Sequence, residues 1–196
     1  MPRKPRVWFP GAQYHIMSRG NHRSEIYRDE EDKQVYLSLL KETQLKYDFV
    51  LLSYCLMSNH VHLQMEIVEE NPGKIMKHLN MCYAIYFNRK YDFVGHLFQG
   101  RYHAELIETD AQNLQTSKYV HLNPVRANMV EKPLEYQWSS YREYLGYEQS
   151  GILSPEKILC YFKSGNSELY RRYVENDLSL HLPKTNTQED ASGCHN

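Results

Sequence analysis

Residues 49–68 read FVLLSYCLMSNHVHLQMEIV, and no other stretch says as much about the architecture of the chain. Phe49 to Met57 is short, apolar and rich in residues that favour strands, so it predicts a buried β-strand. Ser58 and Asn59 are typical of a turn. Residues 60–68 then alternate between an apolar set and a polar set, the polar one being His60, His62, Gln64 and Glu66. The stretch therefore predicts an antiparallel hairpin with one polar face.

The segments on either side of this hairpin extend the pattern. Gly11 to Met17 predicts a strand, and the acidic run Asp29 to Asp32 predicts the first turn of a helix. Pro72 to Lys90 carries an amphipathic helical stripe, and Arg101 to Glu108 predicts another strand. The order β-α-β-β-α-β is the split βαβ plan of ferredoxin-like folds. We therefore expect an α+β fold whose ferredoxin-like core has an antiparallel sheet with helices on one face.

Composition excludes several classes of protein. The chain has 196 residues, of which 41% are hydrophobic and 24% charged, so it is neither a disordered chain, a collagen-like fibre nor a disulfide miniprotein. The net charge of -1 indicates neither a nucleic-acid nor a membrane partner. Basic residues nevertheless gather in the first part of the chain, at Arg3, Lys4, Arg6, Arg19, Arg23 and Arg28. Such a segment is either a nucleic-acid contact or a solvated, mobile arm.

Cysteine placement indicates the cellular compartment. The 4 cysteines form no C-x-x-C pair, and Cys55 and Cys82 have apolar neighbours, which is typical of reduced thiols. No apolar stretch approaches the ~20 residues of a membrane span. The first residues also lack the apolar region of a signal peptide. We therefore expect a cytoplasmic protein with no membrane association.

His60 and His62 are the first candidates for chemistry. Side chains two residues apart on a strand point the same way, with their Cβ atoms about 6.5–7 Å apart. Two imidazoles at that spacing can bind one divalent metal ion. An H-x-H sequence is common by chance, however, and two surface histidines on a solvated strand face remain the alternative.

A third helix carries the second pair of candidates. Thr109 or Asp110 should cap this helix, which we expect to continue through Tyr119 until Asn123-Pro124 stops or kinks it. Tyr119 and Asn123 lie four residues apart and so share one helical face. Tyr119 could equally be a core residue, and Asn123 a plain cap.

A glycine-containing loop before the last strand is the third candidate. Gly95 to His103 interleaves glycines, aromatic residues and Arg101. Such a loop can hold a phosphate backbone and stack bases. It can also be an ordinary loop that buries Leu97 and Phe98.

In combination, these segments resemble a known family. Residues 54–63, YCLMSNHVHL, resemble the HUH signature of single-tyrosine transposases, and residues 119–127, YVHLNPVRA, resemble the tyrosine motif of their REP-associated branch. Three shorter runs are also similar: MSRGN at 17–21, GHLFQGRY at 95–102 and WSSY at 138–141. One departure is Ser58, where the family commonly has proline, and it alters a turn rather than a ligand. The resemblance runs from about Pro10 to Tyr147.

The resemblance implies an activity and a site. His60, His62 and Asn123 would bind Mg²⁺ or Mn²⁺, and Tyr119 would be the nucleophile. The reaction would be nicking and strand transfer of single-stranded DNA with a nearby hairpin, through a covalent 5′-phosphotyrosine. The candidates for phosphate contacts are Lys4, Arg6, Arg19, Arg23, Arg101 and Arg126.

Three alternatives and several unknowns stay open. The chain could be another HUH nickase, a catalytically idle nucleic-acid-binding protein on the same fold, or a structural ferredoxin-like domain. The sequence leaves undecided whether it acts as a monomer or a homodimer, and which DNA hairpin it prefers. We expect residues 1–147 to form the transposase domain and 148–182 a small C-terminal helical extension. Residues 183–196 are polar, which predicts a disordered tail.

Overall fold

The computed structural model describes residues 8–176, and its strands and long helices follow the order β-α-β-β-α-β-α that the sequence pattern predicts. In chain order they are β1 (Gln13–Arg19), α1 (Glu30–Tyr47), β2 (Phe49–Leu56), β3 (His60–Ile67), α2 (Pro72–Tyr91), β4 (His103–Ile107) and α3 (Asp110–Arg126). Short helices follow at α4 (Tyr141–Tyr144), α5 (Glu156–Leu159) and α6 (Ser167–Glu175). Single 3-10 turns occupy Asn21–Arg23, Pro133–Glu135 and Lys163–Gly165. The predicted tail, residues 183–196, lies outside the described residues.

The four strands form one antiparallel sheet in the order β2-β3-β1-β4. This is the strand order of a ferredoxin-like core, so the predicted α+β fold is confirmed. β1 runs two residues further than the sequence indicates, because pairing with β3 continues until Arg19 lies opposite His60. That extension brings an arginine to the end of the sheet where the histidine pair begins.

The two faces of the sheet bury different kinds of residue. The apolar side chains of β3 pack against α1 and α2, in a core that includes Tyr36 and Tyr83. The polar face of β3 is also covered, because α3 packs across β2 and β3. Gln64 is fully buried there; it accepts a hydrogen bond from Ser53 Oγ at 2.7 Å and donates to the backbone oxygen of Asn113 at 2.9 Å. A solvated polar face is therefore wrong, and the histidines of β3 are not ordinary surface residues.

The first turn of α1 is joined to the end of α2 by a buried carboxylate. Asp29 and Asp32 form a capping box at the start of α1. Asp32 also accepts hydrogen bonds from Lys90 Nζ and Tyr86 Oη, each at 2.9 Å. Burial alone would raise the pKa of Asp32, but these bonds and one from the Arg28 backbone N–H hold it below its usual value. The first helix is thus tied electrostatically to the second.

α3 begins as expected and continues past its predicted end. Thr109 is the N-cap, accepting from the Gln112 N–H at 3.2 Å. Pro124 lies inside the helix rather than stopping it, and α3 ends at Arg126. A proline removes only one backbone hydrogen bond, and here it does so in the last turn. Backbone N–H groups beyond the helix satisfy the final carbonyls, such as that of Asn123 at 2.9 Å.

The C-terminal part of the chain packs onto α3 and β2. His121 of α3 is fully buried, with Nδ1 2.7 Å from Tyr170 Oη and Nε2 2.8 Å from Ser140 Oγ. Tyr170 Oη also lies 2.6 Å from Ser117 Oγ. This buried network fixes α6 against the helix that carries Tyr119. Within residues 8–176, no helix has the length and apolar character needed to cross a membrane.

Candidate active site

β3 places His60 and His62 side by side beneath the end of α3. Their ring centroids are 4.8 Å apart and the ring planes meet at 81°. His62 is only 2% exposed, whereas His60 is half-buried. The two imidazoles therefore converge in a partly enclosed space, as the strand spacing predicts.

Burial keeps both imidazoles uncharged at neutral pH. It lowers the pKa of His60 to about 4, with a further contribution from Arg19. It lowers the pKa of His62 to about 2, with smaller contributions from His60, His15 and Arg19. A neutral imidazole carries the lone pair that a metal ion needs. Both side chains are therefore ready to act as ligands without losing a proton first.

Among the described residues, the hydrogen bonds around the pair leave one nitrogen of each ring without a partner. His60 Nδ1 lies 2.6 Å from Asn59 Oδ1, and an amide oxygen can only accept, so His60 donates from Nδ1. His62 Nδ1 lies 2.9 Å from His15 Nε2. His62 Nε2 is buried and has no hydrogen-bond partner among the described residues. An orphaned buried nitrogen beside a second imidazole fits a metal ion, because coordination would satisfy it.

α3 brings Tyr119 to the same place. Its ring meets that of His62 edge-on, with centroids 5.5 Å apart, and the side chain remains 37% exposed. The guanidinium of Arg126 lies 5.3 Å from the centre of the Tyr119 ring. The tyrosine is therefore neither a core residue nor remote from the histidines, and a substrate can reach it.

Asn123 lies one turn further along α3 and is 9% exposed. Its amide nitrogen donates to the Tyr119 carbonyl at 2.9 Å, so the amide oxygen is the atom that would serve as a ligand. Among the described residues, no three His, Cys, Asp or Glu side chains are arranged to hold one metal ion. A site with three protein ligands here would therefore need a different donor, and the amide of Asn123 is of a suitable chemical type.

His15 is the residue that sequence reasoning missed. Its ring stacks on His62, with centroids 5.1 Å apart and planes 14° from parallel, and meets the Tyr119 ring edge-on at 5.7 Å. His15 Nδ1 lies 3.8 Å from a carboxylate oxygen of Glu105 on β4. The signal was present in the sequence, since the ferredoxin-like strand order places β1 between β3 and β4. His15 needed only to be assigned to the same face as His62.

The predicted phosphate contacts fall into three groups. Arg19 lies near the histidines and Arg126 beside Tyr119. Arg23 and Arg101 are exposed, Arg23 in the turn after β1 and Arg101 just before β4. Lys4 and Arg6 lie outside the described residues.

The loop that contains Arg101 is anchored at the end of β1. The Gln99 N–H donates to the Arg19 carbonyl and the Asn21 N–H to the Leu97 carbonyl, each at 2.8 Å. Leu97 is buried and Phe98 packs against the core. The loop therefore has the packing expected of an ordinary loop, and this packing also holds it beside the end of β1 that faces the histidines.

The chain aligns with two solved structures, and it shares its fold with the first of them. A REP-associated tyrosine transposase bound to a REP hairpin matches with a TM-score of 0.64 and 13% identity, over 79% of this chain and 90% of that one. A Deinococcus radiodurans R1 protein assigned as a transposase aligns with a TM-score of 0.44 and 17% identity, over 61% of this chain and 95% of that one. No curated protein matches the chain.

The sequence itself matches a family model. The model describes IS200-like transposases and matches residues 9–123, more than half of the chain. The match includes both histidines, the tyrosine and the asparagine of the candidate site. The chain therefore belongs to the IS200-like transposase family.

Proposed function

We propose that this transposase nicks and rejoins single-stranded DNA, with Tyr119 as the nucleophile. The observation that carries the proposal is the exposed Tyr119 ring held against the neutral imidazole of His62. Exposure alone does not set Tyr119 apart, since Tyr161 is equally exposed, but its surroundings do. Here it stands beside a pair of side chains suited to a metal ion and carries an arginine over its ring.

His60, His62 and Asn123 are the residues that would hold Mg²⁺ or Mn²⁺. When bound there, the ion would supply Lewis-acid polarisation of the scissile phosphate. The chain contributes two imidazoles that are neutral at physiological pH and one amide oxygen. The orphaned Nε2 of His62 supports this assignment most directly.

The covalent step exchanges one bond to phosphorus for another. The phenolic oxygen of Tyr119 attacks phosphorus, and the bond from phosphorus to the 3′ oxygen breaks. Tyr119 loses its proton and the departing oxygen gains one, which leaves a free 3′-OH and a 5′-phosphotyrosine. A second 3′-OH can reverse the step, so strands are rejoined without an external energy source. Arg126 lies where it can offset negative charge developing near the tyrosine.

Arginines around the site are the proposed contacts to the DNA backbone. Four of them lie in the described part of the chain: Arg19, Arg23, Arg101 and Arg126. Lys4 and Arg6 of the basic first segment would add to them. Because the net charge is -1, DNA affinity must come from this local group rather than from the whole surface. The matched REP-associated transposase binds a REP hairpin. We propose a hairpin-containing single strand as the substrate here as well.

Organisation and location complete the proposal. Tyr119 and His62 meet within one chain, which favours a monomer that is competent on its own over a homodimer that exchanges tyrosines. Residues 1–147 would carry the reaction, and the C-terminal extension, in its described part up to residue 176, would support α3. Cys55, Cys82 and Cys160 are free thiols, which supports the proposed cytoplasmic location.

A covalent-capture assay tests this function. Wild type, Tyr119→Phe and His62→Ala are mixed with labelled single-stranded hairpin DNA from the gene's own flanks, with Mn²⁺ or with EDTA. We expect a denaturant-resistant adduct only with wild type and Mn²⁺. Tyr161→Phe, which alters another partly exposed tyrosine, is the matched control and should form the adduct. DNA binding without an adduct on any flanking strand would favour an idle binding protein.

A further inference from the structure

Three polar side chains lie in a row across three neighbouring strands. In the sheet order, β1 lies between β3 and β4. His15 on β1 is opposite Glu105 on β4 and diagonal to His62 on β3. The Nε2 of His15 lies 2.9 Å from the Nδ1 of His62, and its Nδ1 lies 3.8 Å from the Glu105 carboxylate. His103 Nε2 anchors the other oxygen of that carboxylate at 3.0 Å.

The row fixes where each proton resides. A neutral imidazole has one N–H and one lone pair. The negative charge of Glu105 favours the N–H of His15 at Nδ1, which leaves a lone pair at its Nε2. A hydrogen bond at 2.9 Å then requires His62 to donate from Nδ1. The remaining nitrogen of His62, the buried and orphaned Nε2, therefore carries the lone pair.

We infer that His15 and Glu105 form a positioning pair that holds His62 in the Nδ1–H tautomer and aims its Nε2 lone pair into the site. The inference rests on the proposed function only where that lone pair binds a metal ion. The stacked rings of His15 and His62 add a second constraint, because they fix the plane of the His62 imidazole. Asn59 plays the same part for His60, by accepting from its Nδ1 at 2.6 Å.

The role of His15 is one of support rather than reaction. Its side chain contacts His62, the Tyr119 ring and Glu105. Side chains that orient a metal-binding histidine typically contribute 10- to 100-fold to metal affinity. The expected consequence of losing His15 is therefore weaker metal binding, together with a change in the proton position on His62.

The tautomer can be read without metal or activity. Nitrogen-15 NMR of the metal-free full chain distinguishes Nδ1–H from Nε2–H in each imidazole, and His62→Ala identifies the signals. We expect Nδ1–H for His62 in wild type and a shift towards Nε2–H in His15→Leu. His15→Gln should restore the wild-type tautomer, because its amide oxygen can accept from His62 Nδ1. His96→Leu, on an exposed loop histidine, is the matched control.

Titration with Mn²⁺ alone gives the second readout. We expect His15→Leu to bind Mn²⁺ about 10- to 100-fold more weakly than wild type, and His15→Gln to recover most of the loss. Glu105 is exposed on the edge strand β4, so Glu105→Gln tests the pair without disturbing core packing. It should weaken Mn²⁺ binding less than His15→Leu does. Thermal unfolding of each variant confirms that the protein tested is folded.

The outcomes separate this inference from the proposed function. An Nε2–H tautomer of His62 in wild type would overturn the inference. So would Mn²⁺ binding that His15→Leu and Glu105→Gln leave unchanged. A third outcome is that wild type binds no Mn²⁺ while His15→Leu still shifts His62 away from the Nδ1–H tautomer. The positioning pair would then be supported and the proposed metal site would be wrong.

Discussion

The ring of Tyr119 on α3 meets the ring of His62 on β3 at 86°, with their centroids 5.5 Å apart. This contact joins the two sequence motifs of the site, residues 54–63 on the sheet and residues 119–127 on the helix. It exists because α3 crosses the polar face of the sheet instead of leaving that face to solvent. The packing of one helix on two strands therefore places Tyr119, the proposed nucleophile, against His62 of the proposed metal-binding pair.

The first prediction concerns whether one chain suffices. Since Tyr119 meets the histidines of its own chain, a mixture of His62→Ala and Tyr119→Phe should form no covalent adduct with DNA. Each variant alone is also expected to be inactive, and wild type at the same total concentration is the positive control. Adduct formation at a substantial fraction of the wild-type level in the mixture would show that the tyrosine acts on a partner's histidines.

The second prediction concerns Arg126. Replacing it with Gln should weaken binding to single-stranded DNA similarly for all sequences. The slope of log affinity against log salt should become shallower by about 0.7, the value for one lost phosphate contact on a single strand. Fluorescence anisotropy across a salt series measures this slope. Arg172→Gln, at an exposed position of α6, is the matched control and should leave the slope unchanged.

Most of the fold follows from the sequence, and the exceptions have physical reasons. The alternation in residues 60–68 predicts β3, and the apolar stripe from Pro72 to Lys90 predicts α2. Both patterns can be read because each element turns its apolar face towards the same core. The burial of Gln64 could not be read from β3 alone, since the covering helix lies far away in the chain. Pro124 is accommodated because α3 ends within its next turn, a tertiary detail that local rules do not contain.

The residues proposed to react or to bind metal could be predicted from the sequence, whereas the side chains that support them could not. His60, His62 and Tyr119 lie in contiguous motifs, so a short window reveals them, and the structure brings them together. Strand order and alternation place His15 on the face of His62, but only the register between β1 and β3 shows that the two rings meet. Its carboxylate partner, Glu105, lies on a third strand and is found in the same way.

The third prediction concerns acid stability. The folded-state pKa of Asp32 is lowered, so this carboxylate stabilises the fold above its unfolded pKa, near 3.9. That contribution is lost as pH falls through the folded value. Asp32→Asn should cost about 1–3 kcal/mol at pH 7, because Lys90 and two tyrosines lose a charged acceptor.

Urea unfolding at several pH values measures this effect. The difference between wild type and Asp32→Asn should shrink as pH falls from 5 towards 3 (about the range set by the carboxylate pKa). Asp48→Asn is the control, because Asp48 lies at an exposed left-handed position that asparagine tolerates. This substitution should barely change the free energy of unfolding. A difference between Asp32→Asn and wild type that stays constant over this range would contradict the assignment.

The fourth prediction concerns the network that holds the C-terminal part. Tyr170→Phe removes the hydroxyl that contacts Ser117 and His121, leaving both buried groups without that partner. We expect a loss of about 1–3 kcal/mol in the free energy of unfolding. Tyr161→Phe removes an exposed bond to Asp110 and should change stability by less than about 0.5 kcal/mol. Equal stability losses in the two variants would argue against a supporting role for the network.

The central claim is that Tyr119 forms the covalent link to DNA, and mapping that link tests it most directly. The adduct formed with Mn²⁺ on a single-stranded hairpin is digested with protease and nuclease and then analysed by mass spectrometry. The account predicts a nucleotide joined through its 5′ phosphate to the peptide that contains Tyr119, and to no other peptide. A phosphate linked to any other side chain, or joined through its 3′ end, would contradict the account.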